Sequence, residues 1–129
     1  MIWTFASADA KMAQRARHQF VEALKIDAAP ETDFYSAELI FGELVGNVVR
    51  HAPGPIQIRF DWTSDEPLLE VHDEGGGFTF EPSLPGDLSE GGRGLFIVKQ
   101  LAKRVRVEKI PRDGTRITAV LPIHRRLAS

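Results

Sequence analysis

Cysteine is absent from these 129 residues, which excludes disulfides, thiolate metal sites and a cysteine nucleophile. Charge of one sign is also lacking. Lys and Arg number 16 against 18 Asp and Glu, a net charge of -2, so the chain has no overall electrostatic footprint for nucleic acid or an anionic membrane. The basic tail His124-Arg125-Arg126 is too short to change that and reads as a solvated terminus. No apolar run reaches the roughly 18 residues of a membrane helix. The start, Met1-Ile-Trp-Thr-Phe-Ala-Ser, lacks the basic lead and apolar stretch of a signal peptide, and a soluble cytoplasmic protein is expected. Repeats and linkers are missing too. What is present is 43% hydrophobic content, enough for a chain of this length to bury roughly two-thirds of its unfolded surface in one core. A single domain over residues 1–129 follows.

Hydrophobic spacing orders the elements. Residues Ile2 to Phe5 read as a short strand. Ser7 or Asp9 can cap a first helix whose apolar positions Met12, Ala13, Ala16, Phe20, Ala23 and Leu24 recur at helical spacing. After Pro30, a second helix of about Glu31 to Ala52 gathers Ala37, Ile40, Phe41, Leu44, Val45 and Val48 on one stripe and stops at Pro53-Gly54-Pro55. Two strands follow, one alternating through Ile56, Ile58, Phe60 and Trp62, the next through Leu69 and Val71, with Ser64-Asp65-Glu66-Pro67 as the turn. A third helix is expected from Gly94 to about Arg104, then strands Val105 to Ile110 and Thr115 to Pro122 joined by Pro111-Arg-Asp-Gly114. Tight turns between adjacent strands, with helices in blocks, predict an α+β two-layer sandwich: about three helices on one face of a mixed, largely antiparallel sheet.

Three polar motifs fall on these elements in order: Glu43-x-x-x-Asn47-x-x-x-His51, Asp73-Glu-Gly75-Gly-Gly77-Phe78, and Gly91-Gly-Arg93-Gly94-Leu95. Glu43, Asn47 and His51 are four apart and form one row bordering the apolar stripe of the second helix. Asp73 shares a strand face with positions 69 and 71 and so points toward the helices, where a carboxylate is costly to bury without donors. The exocyclic amino group of adenine is such a donor. By the same parity Thr115 sides with Ile117, Ala119 and Leu121; it is either a hydroxyl on the pocket floor or an ordinary β-branched strand residue. Gly75 and Gly77 allow a flat ligand to approach the backbone closely. Gly92 and Gly94, ahead of a helix, suit an anion site for phosphates, and Arg93 adds a cation. The 13 residues from Phe78 to Glu90, with Pro82, Pro85 and Gly86, read as a short lid. Together the motifs describe a nucleotide pocket.

The same residues resemble the three ATP-binding boxes of the GHKL family shared by gyrase, the heat-shock chaperone, sensor histidine kinases and mismatch-repair ATPases, over about Pro30 to Leu121. Within it, the lone-domain length, the short lid and Gly-Arg-Gly-Leu-Phe-Ile-Val look like the anti-sigma-factor serine/threonine kinases of bacterial partner-switching systems. That resemblance implies a kinase that uses ATP and Mg²⁺, phosphorylates an anti-anti-sigma partner, binds a sigma factor and forms a homodimer. It makes Asn47 a Mg²⁺ ligand and Glu43 the group that orients or deprotonates the attacking hydroxyl. Asp73 would hold the adenine amino group, with Gly77 near the base. Gly92, Arg93 and Gly94 would meet the phosphates, as would one of Arg50 and His51. The outer surface of the first helix, with Lys11, Arg15 and Arg17 beside Met12 and Phe20, is the expected partner face.

Two other readings compete. A catalytic domain for histidine phosphorylation would fit the pocket, yet the chain carries no helical hairpin with a His-Glu phosphoacceptor, and His18 reads as a solvated helix residue. A module that binds nucleotide and sequesters a partner without phosphotransfer would also fit, although Glu43 beside Asn47 favours an enzyme.

Overall fold

The computed structural model describes residues 2–5, 10–51, 55–63, 66–73, 90–110 and 114–126. In chain order these form β1 (Ile2–Phe5), α1 (Ala10–Asp27), α2 (Phe34–His51), β2 (Ile56–Thr63), β3 (Glu66–Asp73), α3 (Glu90–Leu101), β4 (Arg104–Ile110) and β5 (Gly114–Val120). The strands make one sheet in the order β1-β2-β3-β5-β4. Every pairing among them is antiparallel, so the mixed sheet expected from sequence is purely antiparallel among the described residues.

Why α2 starts at Phe34 and not at Glu31 is a matter of capping. Asp33 accepts a 3.0 Å bond from the Ser36 backbone N–H and a 2.6 Å bond from the Ser36 hydroxyl, which satisfies an orphan donor of the first turn. These two bonds hold the Asp33 carboxyl below the usual carboxylate range, the hydroxyl contributing most. From there all six stripe positions of α2 named from the sequence are buried, and the helix packs on α1, α3, β2 and β3.

The core lies between the helices and one face of the sheet. Phe20 of α1 stacks on Phe41 of α2 with ring centroids 4.6 Å apart and meets Phe60 of β2 edge-on at 5.1 Å. Trp3 of β1 extends the same aromatic chain to Phe41 at 5.9 Å, and its indole N–H donates to Gln19 Oε1. The two edge-on pairs add to plain burial because the positive ring edge meets the negative face. Phe20 is fully buried, which removes it from the outer face that the sequence suggested for α1. Met12 remains at 36% exposure.

Further boundaries differ from the sequence reading, and α3 ends at Leu101, with Arg104 opening β4 instead of closing the helix. Glu66 and Pro67 belong to β3, opposite Thr63 and Trp62, not to a turn. Pro67 has no N–H to give the ladder, and its carbonyl accepts from the Leu121 N–H at 2.9 Å. The helix expected from Gly94 instead begins at Glu90. Glycine costs about 1 kcal/mol per helical position, so the glycine run reads as loop, but packing of α3 on α2 outweighs that preference. Gly114 opens β5 at φ 88°, a left-handed conformation that suits glycine, and pairs with Ile110 at the end of the β4–β5 hairpin.

Candidate functional site

Alternation along β3 decides which of its side chains can meet the helices. Leu69, Val71 and Asp73 are buried while Leu68, Glu70 and His72 are partly exposed, as a strand covered on one face requires. Asp73 retains only 1% of its surface. Directly opposite it in β5 stands Thr115, 4% exposed, on the same inward face as Ile117 and Ala119. On its other side Asp73, the last residue of β3, neighbours Ile56, the first of β2, so this carboxylate sits at the end of the apolar layer.

On α2, Asn47 is 1% exposed and Glu43, one turn earlier, is half-buried. The helix that carries them packs on β2 and β3. Asn47, Asp73 and Thr115 therefore all lie in the interior between helices and sheet, together with Ser36 the buried polar residues of the described chain. Burying an amide, a carboxylate and a hydroxyl costs free energy that leucine or valine would not, and a fold selected for stability alone gains nothing by it.

The remaining expected site residues are placed in part. Arg50 and His51 close the last turn of α2, and Gly92, Arg93, Gly94 and Leu95 run through the first half of α3. The front of α3 lies at Glu90, so its first four N–H groups, which lack intrahelical acceptors, fall on residues 90–93. Gly92 and Gly94 are thus inside the helix and not ahead of it. Gly75, Gly77, Phe78 and the segment read as a lid lie outside the described residues.

With helices over one face of an antiparallel sheet and inward polar groups on α2, β3 and β5, the geometry matches a known family. The model for the histidine kinase-like ATPase domain covers residues 5–121 of this chain. The chain belongs to that family.

Among curated relatives of this ATPase domain, the serine-protein kinase RsbW of Staphylococcus aureus is 32% identical over 96 residues, 61% of this chain and 60% of RsbW. The alignment therefore spans less than two-thirds of that relative. Solved structures share the fold at lower identity. The RsbU and RsbW domains of Rv1364c from Mycobacterium tuberculosis superpose with a TM-score of 0.63 at 19% identity, covering 99% of this chain and 34% of that one. The histidine kinase AdeS of Acinetobacter baumannii gives 0.57 at 17% identity, over 95% of this chain and 68% of its own. The catalytic domain of histidine kinase ThkA gives 0.56 at 16%, covering 95% of this chain and 97% of that domain. The family and the RsbW relative support an ATP-binding, kinase-like domain resembling the anti-sigma kinases. No described helix is long and apolar enough to cross a membrane.

The residues suit Mg²⁺ carried on a nucleotide. Among those described, no group of three or more His, Asp or Glu gathers into a metal cage, and Mg²⁺ commonly binds through one or two protein oxygens together with substrate phosphates and waters. The buried amide oxygen of Asn47 is one protein oxygen of that kind.

Proposed function

We propose that the chain is a Mg²⁺- and ATP-dependent protein serine/threonine kinase that doubles as an anti-sigma factor, acting in the cytoplasm as a homodimer. Its substrate is a small anti-anti-sigma protein and its second partner a sigma factor. The observation that carries this reading is the pairing of Glu43 with Asn47 on α2. Glu43 is half-buried and has no hydrogen bond or ion pair to another described residue, which leaves its carboxylate available as a base.

In this reading Asp73 accepts a hydrogen bond from the adenine amino group and Thr115 supports it from the neighbouring strand. Gly77 and Phe78, of the same motif as Asp73, are assigned to nucleotide binding by the family resemblance alone. Gly92, Arg93, Gly94 and Leu95, with Arg50 or His51, position the phosphates, and Asn47 holds the metal. Held through the Asn47 amide oxygen, Mg²⁺ would supply positive charge against the negative charge that develops during phosphoryl transfer. Glu43 takes the proton of the attacking serine or threonine hydroxyl as the new oxygen–phosphorus bond forms and the bond to the β-phosphate breaks.

The test is incubation with γ-labelled ATP, Mg²⁺ and candidate small regulators encoded nearby. Acid-stable, base-labile label on the regulator is the expected result. Acid-labile label would favour histidine phosphorylation, and tight ATP binding without label would favour a sequestering module.

A further inference from the structure

The end of α1 is closed by a residue from the far end of the chain. A helix leaves its last four carbonyls without intrahelical donors, and in α1 these belong to Leu24, Lys25, Ile26 and Asp27. Leu24 O accepts from the Ala28 N–H at 2.8 Å. The other three all accept from Arg126. Its backbone N–H donates to Asp27 O at 2.6 Å, and its guanidinium donates through Nε to Ile26 O at 3.2 Å and through Nη2 to Lys25 O at 3.3 Å. A cation in this place also faces the negative end of the helix dipole. The tail that reads from sequence as a solvated terminus therefore keeps its side chains exposed while its backbone and one guanidinium are tied to a helix end.

Further contacts make this tie a strap and not a single cap. Ala28 and Arg125 face each other in an antiparallel bridge, and the Ala29 N–H donates to His124 O at 2.8 Å. Just ahead of them Ile123 is fully buried, so the segment leaves β5 anchored in the core and ends on α1. The helix has little else to hold that end. Of its 18 residues, Ala16, Phe20 and Leu24 are the buried ones, and Lys25, Ile26 and Asp27 are exposed in succession. Scarce apolar burial is what marks a segment that opens locally.

We propose that residues 123–126 are a latch that sets how readily the last turn of α1, with the Ala28–Ala29 step that follows it, opens while the sheet stays closed. Latch and helix end form one local unit. Asn47 lies 13 positions along α2 from Phe34, about 20 Å of helix, so the latch stands apart from the cluster of Asn47, Asp73 and Thr115. The inference goes beyond the kinase reading and holds whether or not phosphate is transferred.

Native-state hydrogen exchange of the full chain, followed by NMR, reads the latch directly. Arg126→Ala removes the guanidinium donors and speeds exchange of the amides of residues 25–29 about tenfold, with those of Leu69, Val71 and Ile117 unchanged. Arg125→Ala removes an equal charge one residue away and leaves all of these rates as they were. The converse experiment closes the latch covalently. The chain has no cysteine, so Ala28→Cys combined with Arg125→Cys allows one disulfide, across a bridge whose facing Cα atoms fall within disulfide reach. In the oxidised double variant the amides of residues 25–29 exchange about tenfold more slowly than in the reduced one, and reductant restores the rate. Unchanged exchange in Arg126→Ala, acceleration spread equally over the sheet, or equal acceleration by Arg125→Ala overturns the proposal. So does a formed disulfide that leaves those amides as fast as in the reduced protein.

Discussion

The two faces of the sheet treat polar groups in opposite ways. On the outer face, Arg59 pairs with Asp61, Arg104 with Glu66, and Arg106 and Arg116 with Glu108. These side chains keep from 29% to 76% of their surface in solvent, where water and neighbours satisfy them at little cost or gain. On the inner face, Asp73 and Thr115 lie in an apolar layer beneath a helix that adds Asn47. Charge is abundant where it is cheap and sparse where it is expensive. The contrast teaches that the number of polar residues says little about a site and their burial says much. Five measurements break or sharpen it.

The largest effect is expected from Glu43→Gln, which retains shape and helix propensity. Phosphotransfer should fall roughly 10²–10⁴-fold if Glu43 is the base, while calorimetry shows ATP binding intact. Loss of binding to the same extent as in Asp73→Asn would remove the role given to Glu43. Next comes the apolar part of the inner face: Leu69→Ala, at a fully buried position, should cost about 2–5 kcal/mol in urea unfolding.

Asp73→Asn comes third. It replaces an acceptor oxygen with a donor facing the adenine amino group, a mismatch of about 1–3 kcal/mol, so ATP affinity should drop by roughly one to two orders of magnitude. The wild type should be stabilised in thermal shift by ATP with Mg²⁺ and much less by GTP; equal stabilisation would sink the adenine assignment.

Fourth is the α2 cap. The carboxyl of Asp33 is lowered by its bonds from Ser36, so the folded state favours the ionised form more than the unfolded state does. Its contribution is present above the ordinary carboxylate range and is lost as pH falls through the lowered value. Acid unfolding followed by circular dichroism should show this loss in the wild type and not in Asp33→Asn. The smallest effect is expected on the outer face. A double-mutant cycle on Arg104 and Glu66 should give a coupling of about 0.2–1 kcal/mol, shrinking with salt. A coupling of several kcal/mol would erase the distinction between the faces.

Much of the inner face was legible because side-chain period is a local property. Two-residue alternation placed Asp73 and Thr115 inward, and four-residue spacing placed Asn47 next to the buried stripe of α2. Elements whose limits depend on tertiary packing were harder to read. The glycine run at 91–94 has weak helix propensity and is drawn into α3 by contact with α2. Pro67 lacks an N–H and resembles a turn residue until β2 lies beside it. Phe20 falls on the helical period, but only Phe41 and Phe60 reveal that it lies wholly in the core. Turn signals identified neighbouring strands in the chain, whereas the adjacency of β3 and β5 joins residues more than 40 positions apart and leaves no local trace.

That adjacency ties the inward polar pair to a single event in folding. Asp73 faces Thr115 because β5 lies in one register against β3, and a slip of one residue would bring Gly114 or Arg116 opposite Asp73. The same slip would turn Ile117 and Ala119 from the interior to water and Arg116 and Thr118 from water to the interior. A chain that pairs these strands wrongly therefore forfeits its hydrophobic layer along with the juxtaposition of Asp73 and Thr115. Mispaired molecules lose the inward polar pair and the core together, so the population that survives folding is the population that carries the pair.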